Sequence, residues 1–78
     1  NQLIYVMDEA TWKEFEKFLF KAGCEFKRLS ASHRIYWKQG ISRPIVLPAR
    51  QNIPVFIIRN NLRVLGMSPE EYLKMLKS

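Results

Sequence analysis

The sequence predicts an α+β fold: a small two-layer domain in the order α-β-β-β-α(-α), with a three-stranded antiparallel sheet and its helices packed on one face. Three observations lead there. Apolar residues recur at helical spacing in two stretches, from Trp12 to Ala22 and from Val55 to Leu65, and a glycine closes each. Between them lie three short runs with strand character, separated by turn residues. The chain has 78 residues, 47% of them hydrophobic, which is enough for one core and no more.

Each element has its own local warrant. Residues 1–10 read as an N-terminal extension or edge strand, carried by Leu3, Ile4, Tyr5, Val6 and Met7, and residues 11–78 as a single domain. Thr11-Trp12-Lys13-Glu14 fits a capping box at the start of the first helix. Trp12, Phe15, Phe18, Leu19 and Ala22 form its inner stripe, Lys13, Lys17 and Lys21 its solvated side, and Phe20 falls outside the stripe. Cys24 to Ser30 is a first strand, leading through Ala31-Ser32 into a second. In that second strand Ile35 and Trp37 share one face, while Arg34, Tyr36 and Lys38 share the other, which is expected to be exposed. Gln39-Gly40 marks a turn, and Pro44 to Pro48 is a short third strand with Ile45 and Leu47 inward. Asn52-Ile53-Pro54 opens a second helix, with Pro54 in its first turn. Val55, Ile58, Leu62 and Leu65 make its buried stripe, and Phe56, Arg59 and Arg63 lie together on another side. Ser68-Pro69-Glu70-Glu71 is a second capping box, starting a short helix with Tyr72, Leu73 and Leu76 inward.

Charge narrows the function. Thirteen Lys and Arg against seven Asp and Glu leave a net charge of +6. From Phe26 to Pro69 there is no carboxylate, yet Lys27, Arg28, Arg34, Lys38, Arg43, Arg50, Arg59 and Arg63 all fall there. Such charges repel in an isolated fold, so the interval points to a bound polyanion or an acidic partner. It also excludes a two-metal nuclease, which needs clustered carboxylates to hold its ions. The one cysteine, Cys24, has no partner for an internal disulfide and no Cys or His at zinc spacing. A reducing compartment, the cytoplasm, follows as an expectation, with no metal and no cofactor. No apolar run approaches the length of a membrane span.

Chemistry concentrates in Ala31-Ser32-His33-Arg34-Ile35-Tyr36-Trp37-Lys38, which holds the only histidine among alternating basic and aromatic residues. Cations neutralise phosphates and rings stack on bases, so this is the kit for a single-stranded nucleic acid. The residues alone leave open an ordinary surface histidine beside a covered sheet edge. Parity also places His33 with Ile35 and Trp37, so a bend at the strand's mouth is needed to bring it beside Tyr36.

Leu19 and Gly23 close the first helix, and Ser32-His33-Arg34 with Tyr36 follows. Val46-Leu47-Pro48 ends the third strand, and Leu62-Arg63-Val64-Leu65-Gly66-Met67-Ser68 closes the second helix. In this order, over nearly the whole chain, these motifs resemble the HicA family of toxins from bacterial toxin–antitoxin pairs, small mRNA interferases on a double-stranded-RNA-binding-domain (dsRBD-like) fold. The chain departs from the family pattern in three places. The glycine before Ser-His is Ala31, the second histidine after the strand-ending proline is missing from Ala49-Arg50-Gln51, and the Lys-Pro-Gly-Thr start of the second helix is Ile53-Pro54-Val55-Phe56-Ile57.

The resemblance implies metal-independent cleavage of mRNA with His33 as the catalytic residue, blocked by a HicB-type antitoxin protein. An imidazole, with an ordinary pKa of about 6.5, suits removal of the 2′-hydroxyl proton. One histidine cannot be base and acid at once, which leaves Tyr36, Lys38 or Arg34 to stabilise the phosphorane or protonate the leaving group. Ser32, Arg34, Tyr36, Lys38, Lys27, Arg28 and Arg50 are the expected RNA contacts, gathered into one positive surface beside His33. Phe20 and Phe56 are candidate anchors for the antitoxin, because both fall outside their helices' buried stripes. Two alternatives are a non-catalytic RNA-binding module on the same fold and a protein-interaction domain holding an acidic partner.

Overall fold

The computed structural model describes residues 7–48 and 52–77. Its elements run β1 (Ala10–Thr11), α1 (Trp12–Lys21), β2 (Glu25–Ser30), β3 (His33–Trp37), β4 (Ile45–Pro48), β5 (Asn52–Ile53), α2 (Val55–Leu65) and α3 (Pro69–Lys77). The predicted class holds: β2, β3 and β4 form a three-stranded antiparallel sheet in that order, packed with the helices. A two-residue ladder between β1 and β5 is added to it. The strand reading of Leu3 to Val6 lies outside the described residues, as do Ala49, Arg50 and Gln51.

Both capping boxes are closed. The Thr11 hydroxyl accepts from the Glu14 amide at 3.1 Å, and the Glu14 carboxylate accepts from the Thr11 amide at 2.9 Å. Ser68 and Glu71 repeat the exchange at 3.1 and 2.9 Å. Each pair satisfies two amides that the first helical turn leaves unbonded. Phe15, Phe18 and Leu19 bury the inner face of α1, and Phe18 meets Tyr72 of α3 edge to face at 4.7 Å. Burying side chains of this size stabilises by about 1.5–3 kcal/mol each.

Two expectations about helices are corrected. Asn52 and Ile53 are strand, not the opening of α2, and Pro54 stands outside the helix as its N-cap. Proline has no N–H to spend, but its carbonyl accepts from the amides of Ile57 and Ile58, both at 3.1 Å. Leu76, expected inward, is exposed; Tyr72 is the fully buried residue of α3, with Leu73 and Met75 packed partly against the core.

The largest correction concerns the faces of β3. Tyr36 is fully buried, and with its ladder partner Ile45 it belongs to the core face, along with Arg34 and Leu47. His33, Ile35 and Trp37 therefore lie on the other face, with Val46. Alternation sets the period of a strand, not which side is inside. Here the inside is the side whose polar tips find partners. The Tyr36 hydroxyl donates to Glu16 of α1 at 2.6 Å, so a tyrosine and an arginine face the helices while an isoleucine and a tryptophan do not.

Candidate nucleic-acid interface

The hairpin between β2 and β3 positions the histidine. Ser30 pairs with His33, so Ala31-Ser32 is a two-residue connection. Ala31 has a φ of +53°, while Ser32 is not left-handed. Positive φ at the first central residue and not the second is the sign pattern of a type II′ turn, where glycine is favoured first. This is where the family pattern has glycine and this chain has alanine. His33 is the first residue of β3, exposed, and needs no bend to face solvent.

His33 opens onto a cleft of about 370 Å3 shared with Arg43, Val46, Pro48, Asn60 and Asn61. No carboxylate lines it among the described residues. Helix α2 forms the far wall, tied to β4 where Asn61 Nδ2 donates to the Val46 carbonyl at 3.4 Å. A second recess of about 360 Å3 continues along the sheet, with Lys27, Arg28, Ile35, Tyr36, Trp37 and Pro44 around it. A register shift between Phe26 and Arg28 makes Lys27 the extra residue of a β-bulge and aligns Arg28 with Ile35. Half-buried Ile35 and Trp37 beside Arg28 and Lys27 form a floor on which bases can stack and phosphates can be held.

Of the expected contacts, this face collects His33 and Arg28, Lys27 stands at its margin, ion-paired with Glu25 at 2.7 Å, and Ser32 lies in the turn just before His33. Arg34 is elsewhere. Its guanidinium lies 4.5 Å from the ring centroids of both Trp12 and Phe26, pairs with Glu16 at 2.8 Å, and donates to the Tyr36 hydroxyl at 3.0 Å. Tyr36 is pushed up to about 12, first by burial and then by its hydrogen bond to Glu16, and it sits on the sealed face. Lys38 follows the far end of β3, its stem against Gly23. A strand rises about 3.3 Å per residue, which puts Lys38 roughly 16 Å from His33. The single positive surface expected from Arg34, Lys38 and Arg50 is thus corrected: Arg34 faces the core, Lys38 lies at the other end, and Arg50 is outside the described residues. None of Tyr36, Arg34 and Lys38 reaches the histidine cleft.

Sequence reasoning missed Arg43, Asn60 and Asn61. Arg43 was visible only as one charge in the acid-free interval. Asn61 left a clearer signal: a polar residue at i+3 from Ile58, inside the apolar stripe of α2. Phe20 and Phe56 are both exposed, as expected of anchors, but Phe20 leans on Tyr36 at 6.2 Å, on the core-facing side of the sheet.

Among the described residues no helix is long and apolar enough to cross a membrane. A family model described as the HicA toxin of bacterial toxin–antitoxin systems matches residues 12–67. No curated protein and no solved structure matches the chain.

Proposed function

The chain belongs to the HicA toxin family of bacterial toxin–antitoxin systems, and from that premise we propose that it is a metal-independent endoribonuclease cutting mRNA on the open face of its sheet. The observation that carries this reading is the position of His33, exposed at the mouth of a cleft that holds an arginine and two amides and no described carboxylate. His33 removes the proton from a ribose 2′-hydroxyl, and that oxygen attacks the adjacent phosphorus. The bond to the 5′-oxygen breaks, leaving a 2′,3′-cyclic phosphate. The leaving oxygen takes its proton from water, since no second titratable acid or base lines the cleft among the described residues. Arg43 balances the charge that builds on the phosphorane. Arg28, Ile35 and Trp37 hold the strand on either side of the cut.

Membership in the family pairs this toxin with an antitoxin. In the proposed scheme that protein is of the HicB type and acts in the cytoplasm by covering His33. The deciding assay is cleavage of a defined RNA in EDTA, comparing the native chain with His33→Ala and identifying the product ends. Cyclic-phosphate products from the native chain alone support the reading. A requirement for divalent metal, or undiminished cutting by His33→Ala, refutes it. RNA binding without any cutting assigns the chain to the non-catalytic module instead.

A further inference from the structure

Asn61 is the one buried polar residue among those described, 7% exposed, in a helix face otherwise filled by Ile58 and Leu62. A buried amide is costly unless its groups are bonded, and an apolar side chain would close the contact with β4 at less cost. Its geometry is informative. The Val46 carbonyl can only accept, so the nitrogen of the Asn61 amide faces β4 and the oxygen faces away. That oxygen accepts no hydrogen bond among the described residues, yet it is not sealed from solvent. Asn61 lines the cleft that holds His33 and Arg43. A half-used amide, fixed in orientation, therefore borders the space beside the proposed reacting phosphate.

We propose that Asn61 is a base-reading residue of the RNA site. Its Oδ1 and its second Nδ2–H hydrogen-bond the edge of one nucleobase next to the phosphate at His33. This rests on the RNA-cleaving reading above and adds sequence selectivity to it. An acceptor and a donor side by side complement adenine, which presents an amino donor next to a ring-nitrogen acceptor. Neighbouring Asn60 is different: its Oδ1 already accepts from Arg63 at 3.4 Å, and its Nδ2 can donate to phosphate or ribose oxygens.

The test is a pool of short RNAs with a randomised segment, cut by the native chain, Asn61→Leu and Asn61→Asp, with the cut ends sequenced and each protein's melting followed. The native chain should favour adenine at one position beside the cut by about tenfold or more. Asn61→Leu, which keeps the branched heavy-atom outline and removes the amide, should cut with that preference flattened while melting within a few degrees of the native chain. Asn61→Asp keeps the shape but offers acceptors only, so its preference should move towards cytosine. An unchanged preference in both variants, or a uniform loss of rate at unchanged preference, overturns the assignment and leaves the nuclease standing. Failure of the native chain to cut overturns the nuclease and this inference with it. Should Asn61→Leu melt below the assay temperature, Asn61→Asp decides; failure of both to fold assigns Asn61 to holding α2 on β4 and overturns the base-reading role.

Discussion

The two faces of β3 use the same kinds of residue for opposite ends. On the core side, Arg34 is stacked between two rings, paired with Glu16 and bonded to Tyr36, so its charge is consumed within the fold. On the open side, His33 looks into a cleft with Arg43, and Arg28 flanks Ile35, with no carboxylate in salt-bridge reach of either arginine among the described residues. A cation beside an aromatic in a strand is therefore not by itself a nucleic-acid signal. What separates the two faces is whether an acid from elsewhere in the chain reaches across. Glu16 does so for Arg34, from 18 positions upstream.

The largest contrast is between adjacent residues. His33→Ala should lower the cleavage rate by about 10²–10⁴ while leaving the urea midpoint unchanged. Arg34→Ala should do the reverse at the level of the fold. The Arg34 and Glu16 side chains are 22% and 19% exposed, and removing one strands the other, at a cost of about 2–3 kcal/mol in a urea titration. A stable Arg34→Ala with impaired RNA binding would reverse the assignment of the two faces.

Next come the two buried tyrosines. Tyr36→Phe removes a hydroxyl with two partners and should cost about 1–2 kcal/mol. The Tyr72 hydroxyl is buried with no partner among the described residues, so Tyr72→Phe should be neutral or stabilising. Both phenols are pushed up to about 12 from 10, chiefly by burial. A raised pKa means that their contribution is complete below pH 10 and is lost as pH climbs towards 12. Urea midpoints should therefore fall between about pH 10 and 12, less steeply in either Phe variant; equal slopes in all three proteins would contradict the burial of these hydroxyls.

The open face can be dissected by salt. Arg43→Ala and Arg28→Ala should each reduce the magnitude of the salt slope for single-stranded RNA by about 0.7, whereas Lys38→Ala should leave it unaltered. An equal effect from Lys38 would extend the interface to the far end of β3. The smallest effect belongs to the turn. Ala31 sits at φ +53°, which costs an L-residue about 1 kcal/mol, partly offset by the lower entropy of alanine in the unfolded chain. Ala31→Gly should raise the melting temperature by a few degrees, roughly 0.5 kcal/mol, with no loss of cutting.

Most of the framework was legible because its signals are local. Thr11 with Glu14 and Ser68 with Glu71 announce helix starts, Gly23 and Gly66 announce stops, and Ile45 with Leu47 announces an inward strand face. His33 stood out as the candidate too, since only one histidine is present. The site around it was not. Arg43 and Asn61 are 10 and 28 positions away, and nothing in their own neighbourhoods says that they face the same space.

The residues by themselves determined the order of the elements, the caps, the period of each strand and the excess of positive charge, because these depend on neighbours within a turn or a rung. Only the tertiary structure decided which side of β3 is sealed and which charges stay open. That choice turns on Glu16, a carboxylate on α1 that bonds both the hydroxyl of Tyr36 and the guanidinium of Arg34. Burying two polar tips is tolerable only when they satisfy one another, and that condition is met in space, not along the chain.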